Sequence, residues 1–433
     1  MIEKAGRPFI STPILAVFGR LGGFVLPFVI AWVFGANPQT DAFWLTYSII
    51  FFLIGLYTHL FEAVLIPYLA ERRLEPSRFV RFSNAILFYS LISIVILLFG
   101  IGFLIRPFFE TFSDMSYESL RLLPQLFFVM WPLLVLGAWV SMGNGILYSH
   151  KVFWFPAISP LIRSILVFVF LALFYRTWGI HSLSWGFAAG EILRWGILIL
   201  VLIQCSPWRF KLNLKRDLAE AGPFLSGVLF QMVALFAIGM VRISDQWFAS
   251  WLAAGELSLL AYADRLMLIP YFILTAGFLQ IIHSDWSDSY FLEKNSAFWK
   301  KVKSDCLIII SAALILSLLA WFFKGSIVRL FLMFGTLSAE EYATMTDIFG
   351  WYAIAFVPGV MVLLSIRILF VLKKIREYSI FTWGQLILNI ICNYLLIQVL
   401  GVQGIAVSKI IIYSVASVWF LIYIGRYRSK RAE

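Results

Sequence analysis

Three stretches of the chain, 82–105, 122–150 and 378–408, contain no Asp, Glu, Lys or Arg. Each exceeds the about 20 residues that a helix needs to cross hydrocarbon. Lipid offers no hydrogen bonds to the backbone, so a spanning segment must satisfy its own N–H and C=O groups as a helix or within a closed barrel. A barrel would show short alternating segments instead. An apolar share of 62% over 433 residues supplies roughly a dozen helical spans, and only 13% of residues are charged. This excludes a soluble enzyme, an RNA-binding domain and a secreted disulfide scaffold. Cys205, Cys306 and Cys392 lie in or beside apolar stretches at no metal-ligand spacing, so neither a disulfide framework nor a zinc site is suggested; no cofactor is expected. The N-terminal MIEKAGR leads into an apolar segment too long for a signal peptide and without a small-residue cleavage pattern, so that segment is expected to stay in the membrane.

Hydropathy predicts twelve spans: 13–34, 42–69, 83–105, 123–147, 157–175, 181–204, 223–251, 257–282, 306–323, 347–370, 378–400 and 404–425. With the N-terminus inside, the inner segments hold 22 of the 34 Lys and Arg residues and the outer segments five. Cytoplasmic loops carry such an excess, so both termini are expected in the cytoplasm. The net charge of +11 is thereby explained by loops facing anionic headgroups, and no nucleic-acid partner is implied. No loop is long enough for an extramembrane domain; the longest outer stretches are 106–122 and 324–346. The absence of an acidic motif there lowers the case for a membrane glycosyltransferase.

The polar segment 205–222 divides six spans from six. FGANPQTDAFWLTY in the first half and WLAAGELSLLAYA in the second occupy the same place, between the opening two spans of each half. The fold class expected is therefore an all-α polytopic membrane protein. It has two six-helix lobes, 1–208 and 209–433, around a central cavity, as in transporters built from repeats. Prolines 27, 67, 132, 270 and 358 interrupt spans, and the aromatic content reads as lipid-facing Phe with interfacial Trp and Tyr.

Ionisable groups within spans need a partner or water. The cations there are Arg20, Arg163, Arg194, Arg242, Arg265, Arg367 and Lys409. Glu191 and Arg194 are three apart on one helix face, as are Arg242 and Asp245, either as self-neutralising pairs or as functional groups. His59 and Glu62, also three apart, suit a proton relay or a local hydrogen bond. Asp264 and Arg265 are adjacent and point to different faces, so each needs its own partner. Arg20 has no acid within four residues in sequence and is expected to face an aqueous cavity, an anion or the inner interface. Asp41 opens span two, where an acid favours the helix dipole; a gating role is the alternative.

Two stretches, FGRLGGFVLPFVIAWVFGANPQTDAFWLTYSI followed by IPYLAERR, and DQWFASWLAAGELSLLAYADRLMLIP, resemble the bacterial lipid II flippases of the MurJ/MviN type. These belong to the multidrug/oligosaccharidyl-lipid/polysaccharide exporter superfamily. The resemblance implies a flippase of the bacterial inner membrane, acting on an undecaprenyl-diphosphate-linked saccharide whose diphosphate is held by cavity arginines. Arg20, Asp41 and Asp264–Arg265 match family positions, whereas Leu26 and Ile54 stand where the family has further arginines. The twelve spans expected here compare with fourteen in typical lipid II flippases, and twelve are usual for O-antigen and exopolysaccharide flippases.

The expected partners are thus a lipid-linked saccharide and the bilayer. Arg20, Arg265, Arg242 and Arg194 are the candidate substrate ligands, and Asp41, His59, Glu62 and Asp264 the candidates for gating and coupling. Some members of the family hold sodium between an Asp, an Asn, an acid and a hydroxyl. Asp245, Asn389 and Ser408 match, but Asn393 replaces the acid and Lys409 stands beside Ser408. Lys409 is therefore expected to take the cation's place, pairing with Asp245. A drug/cation antiporter and a non-transporting membrane scaffold remain the alternatives, the former disfavoured by the arginines.

Overall fold

The computed structural model describes residues 8–61, 65–72, 75–206, 208, 218–275, 282, 285–286, 289–290, 295–332 and 335–429. Among the described residues the fold is all-helical, as lipid requires. The first helices are α1 (Pro8–Phe34), α2 (Pro38–His59), α3 (Leu65–Arg72), α4 (Pro76–Phe112) and α5 (Tyr117–Val129). There follow α6 (Trp131–Ser149), α7 (Trp154–Ile158), α8 (Pro160–Trp178), α9 (His181–Cys205), α10 (Leu218–Ala249) and α11 (Glu256–Thr275). The remainder are α12 (Asn295–Phe322), α13 (Lys324–Leu332), α14 (Ala339–Val371), α15 (Ile375–Leu400) and α16 (Val402–Ser429). Among the described residues, ten helices are long and apolar enough to cross a membrane. The expected spans seven and eight fall on α10 and α11, helices of 32 and 20 residues that are outside those ten.

Three expectations change. The segment 123–147 is divided between α5 and α6 at Met130, because Pro132 starts a new helix in its first turn, where a missing N–H is harmless. The stretch 106–122, expected on the outer side, is mostly helix, with α4 running to Phe112 and α5 beginning at Tyr117. The phenylalanines are shared between lipid and core. Phe99, Phe103 and Phe322 are exposed, while Phe43, Phe61, Phe127 and Phe298 are fully buried. A helix in lipid gains little by turning rings outward, so packing decides where they go.

The chain forms two compact units. One comprises the residues up to Leu26 together with Pro38–Phe236; the other comprises Pro27–Asn37 together with the chain from Ala237. Helices α1 and α10 thus contribute to both. In the first unit, Gly186 and Gly190 let α9 lie directly against α8. A Cβ on Gly186 would stand 2.8 Å from the Cα of Val167, and one on Gly190 would stand 2.8 Å from the Cα of Arg163. This small-xxx-small pairing is the usual means of close approach in membranes, where burial of apolar surface drives nothing. An aromatic cluster of Phe43, Trp44, Tyr47, Phe51 and Phe187 joins α2 to α9.

In the second unit the turns named above, one from each half of the sequence, meet. Gly35 (φ +70°) and Gly255 (φ +95°) are both left-handed, a conformation that other residues adopt only with strain. Tyr262 donates its hydroxyl to the Gly35 carbonyl at 2.8 Å, and a Cβ on Gly255 would stand 2.8 Å from the Ala36 carbonyl oxygen. Trp32 Nε1 donates to the Phe331 carbonyl at 2.6 Å and fixes the end of α1 against α13.

Gly190→Val should wedge α9 away from α8 and lower stability by roughly 1–3 kcal/mol. Gly196→Ala, on the same helix where an added Cβ meets nothing within 4 Å, should leave the melting temperature in detergent unchanged or raised. Equal melting of the two variants would exclude the close contact.

Candidate functional site

Among the described residues, two clusters of charged side chains stand out, one in each unit. In the second unit, α10 supplies Arg242 and Asp245, α11 Asp264, α14 Tyr352, α15 Asn389 and Asn393, and α16 Ser408 and Lys409. Asn389 and Asn393 are four apart and share a helix face, and both donate to the same oxygen of Asp245, at 2.9 and 2.8 Å. Ser408 Oγ in turn donates to Asn393 Oδ1. Lys409 Nζ lies 3.3 Å from the other oxygen of Asp245 and 3.5 Å from Asp264 Oδ1. Arg242 closes the set at 2.7 Å from Asp264 Oδ2.

Arg242 therefore pairs across helices with Asp264 and not with Asp245, its neighbour three residues on. Two cations meet two carboxylates, so the group is formally neutral. The Lys409 ammonium also lies 4.7 Å from the centre of the Tyr352 ring, which adds a cation–π contact. Little space remains beside it. A void of about 10 Å³ lies between Arg242, Asp245, Asp264 and Lys409, room for one water at most. A second, of about 50 Å³, is lined by Asp264, Tyr271, Tyr352, Lys409 and Tyr413. The arrangement holds Lys409 where two carboxylates would otherwise attract a free cation.

The first unit is built differently. Glu191 on α9 is fully buried and receives Arg194 at 3.1 Å and Arg163, from α8, at 3.2 Å. Arg194 also donates through Nε to Ser159 Oγ at 3.0 Å. The expected Glu191–Arg194 neighbours are thus in contact, with Arg163 as a third member. Both arginines line a cavity of about 460 Å³ together with Ile54, Thr58 and His59 of α2 and Ser141 and Asn144 of α6. Thr58 and Ser141 are hydrogen-bonded at 2.7 Å. His59 is on this wall, while its expected partner Glu62 lies outside the described residues.

Of the other candidates, Arg20 is an exposed residue of α1 in the first unit. Asp41 is buried in the first turn of α2, where its charge favours the helix dipole. Arg265 is half-buried on α11 in the second unit. Arg163 is the residue that the sequence offered without being singled out. Like Arg20, it has no acid within four residues, and that signal marks it as an intramembrane cation with a distant partner.

Removing one partner of a buried pair strands the other, at a cost of about 3 kcal/mol or more. Asp245→Asn and Lys409→Met should each lower the melting temperature in detergent, and the double variant should lose less than the sum of the two. Strict additivity would show that the two side chains do not interact.

The family model described as lipid II flippase MurJ matches residues 30–432. A probable lipid II flippase MurJ of Buchnera aphidicola is 24% identical over 439 residues, covering 93% of this chain and 80% of the relative. The lipid II flippase MurJ of Burkholderia cenocepacia is 22% identical over 419 residues with the same coverage, 93% and 80%. Among solved structures, a lipid II flippase MurJ in an inward closed conformation superposes with a TM-score of 0.85 at 19% identity, covering 96% of this chain and 87% of that one. An inward-facing multidrug resistance MATE transporter of the MOP superfamily gives 0.78 at 13% identity, covering 96% and 98%. The helical fold is shared across that superfamily; the match over residues 30–432 decides within it, and the chain belongs to the lipid II flippase MurJ family.

Proposed function

We propose that this protein moves a polyprenyl-diphosphate-linked saccharide, a lipid II-type peptidoglycan precursor, from the inner to the outer leaflet of the bacterial inner membrane by alternating access. It is a transporter and not an enzyme. The observation that carries this reading is the family match over nearly the whole chain. The physics agrees with it. A diphosphate does not cross hydrocarbon unaided, and Arg holds it by charge-assisted, often bidentate hydrogen bonds. Arg20 in the first unit and Arg265 in the second each hold the diphosphate during the cycle, and the positive-inside asymmetry of the loops supports cytoplasmic termini. Asp41 gates the outer mouth in addition to favouring the start of α2.

Coupling to sodium is not required on this reading. Asp245 and Asp264 are both engaged by Lys409, so a sodium ion would have to displace an ammonium already held by two carboxylates. The same pairing argues against a drug/cation antiporter, whose cavity needs a carboxylate available to an organic cation.

Flipping in reconstituted vesicles, at fixed membrane potential with sodium replaced by choline, should proceed at the wild-type rate. Arg20→Ala and Arg265→Ala should each reduce it at least tenfold with normal insertion, and Lys at either position should restore part of it. Full activity of both alanine variants would sink the assignment of the arginines, and a wild type that stops without sodium would sink the role given to Lys409.

A further inference from the structure

One helix of the second unit takes no part in the charge cluster and does not cross the membrane. With nine residues, Lys324–Leu332, α13 has less than half of the about 20 that a span needs. Both of its ends are tied to the ends of spans. In its first turn, Lys324 Nζ lies 2.8 Å from Asp347 Oδ1 and the Gly325 carbonyl accepts from the Tyr342 hydroxyl, both partners standing near the start of α14. In its last turn, the Phe331 carbonyl accepts from Trp32 Nε1, and the Phe331 ring lies 4.7 Å from that of Phe28, both near the end of α1. These contacts bring the start of α14 and the end of α1 to one level of the bilayer. A helix strung between them runs along its surface.

The two faces of α13 differ. Lys324, Val328 and Phe331 stand at i, i+4 and i+7 and form the face turned to the protein, with Val328 fully buried. The opposite face carries Ser326 and Leu330, with Phe323 just ahead of the helix and Arg329 beside Leu330. Phe323 is 55% exposed and Leu330 69%. No hydrogen bond or ion pair joins Arg329 to another described residue. What covers this face follows from the helix before it. On α12, Ile308, Ile315, Leu319 and Phe322 form one exposed stripe, and α12 is among the helices apolar enough to span. That stripe faces lipid, and it continues into Phe323 and Leu330, so acyl chains continue onto α13. A guanidinium beside that apolar edge, at the level where spans end, lies among lipid phosphates.

We propose that α13 is an in-plane anchor that binds phospholipid of the outer leaflet, with Phe322, Phe323 and Leu330 among the acyl chains and Arg329 on a lipid phosphate. The name of the leaflet rests on the transport reading and its cytoplasmic termini; the contact with lipid does not depend on it. Trp32 and Phe28 join the end of α1 to the protein-facing side of α13, so the leaflet that grips α13 also fixes the end of α1.

Spin-label accessibility tests the anchor. Cys205, Cys306 and Cys392 are replaced by Ser, and a nitroxide is attached through Leu330→Cys or, as the reference, Glu340→Cys, an exposed position at the start of α14. In vesicles of phosphatidylcholine and phosphatidylglycerol, relaxation by oxygen, which concentrates among acyl chains, is compared with relaxation by a water-soluble nickel chelate. The expected oxygen-to-nickel ratio is roughly tenfold higher at position 330 than at position 340. Adding Arg329→Gln should lower the ratio at position 330 roughly twofold, since a cation at an anionic surface adds to the hold. Equal ratios at the two positions would place α13 in water and overturn the proposal. A label reached by neither reagent would show that protein covers the face, a second copy included, and would overturn it too. A ratio indifferent to Arg329→Gln would overturn the part given to Arg329. The unsubstituted chain provides a second reading: in nanodiscs of the same lipids, hydroxyl radicals generated in water should leave Phe322 and Phe323 unmodified, and their oxidation would overturn the contact. Flipping enters none of these readouts, so failure of the anchor and failure of the transport reading are distinguishable.

Discussion

The rest of the structure depends on one constraint: a carboxylate buried among membrane helices must have a cation brought to it. Glu191 and Asp245 are such carboxylates, with the half-buried Asp264 beside Asp245, and the helices pack where their partners can reach. Glu191 ties α9 to α8 through Arg163 at 3.2 Å, and the glycines at 186 and 190 permit the approach. Asp245 draws in α15 through two asparagines and α16 through Lys409. Apolar packing alone leaves helix rotation weakly defined in lipid, since a leucine is as well solvated outside as inside. Each ion pair fixes a rotation and a depth.

The two charged groups solve the same problem with opposite results. In the second unit Lys409 and Arg242 match Asp245 and Asp264 one for one, and the voids beside them measure about 10 and 50 Å³. That group is closed, and its chemistry is internal. In the first unit two arginines share one carboxylate and border about 460 Å³ of space. That group borders open space instead of filling it. A transporter of a diphosphate-linked lipid needs a place where negative charge is welcome, and it needs its acids satisfied elsewhere so that they do not repel the cargo. Ile54, standing where the family resemblance expects an arginine, lies on the wall of the open cavity, to which α8 and α9 bring Arg163 and Arg194.

The sequence by itself determined the class of molecule. Charge-free stretches longer than a bilayer is thick admit one kind of structure, because backbone hydrogen bonds have no other solution in hydrocarbon. The approximate positions of most helices followed, while the break at Met130 within 123–147 did not. The tight glycine turns at 35 and 255 were visible as matching segments of the two halves. Local pairs were legible when both partners lay on one helix face, as Glu191 and Arg194 do.

What only the tertiary structure decided is which charge meets which across helices. Arg242 is three residues from Asp245 yet turns to Asp264, 22 positions away, because Lys409 and two asparagines already occupy Asp245. Arg163 joins Glu191 from 28 positions away, a partnership that no spacing rule announces. Helical periodicity reports neighbours within one turn, whereas an ion pair in lipid is selected by the lowest cost of burying every charge at once. That cost depends on how the helices pack, and the linear sequence does not contain it in readable form.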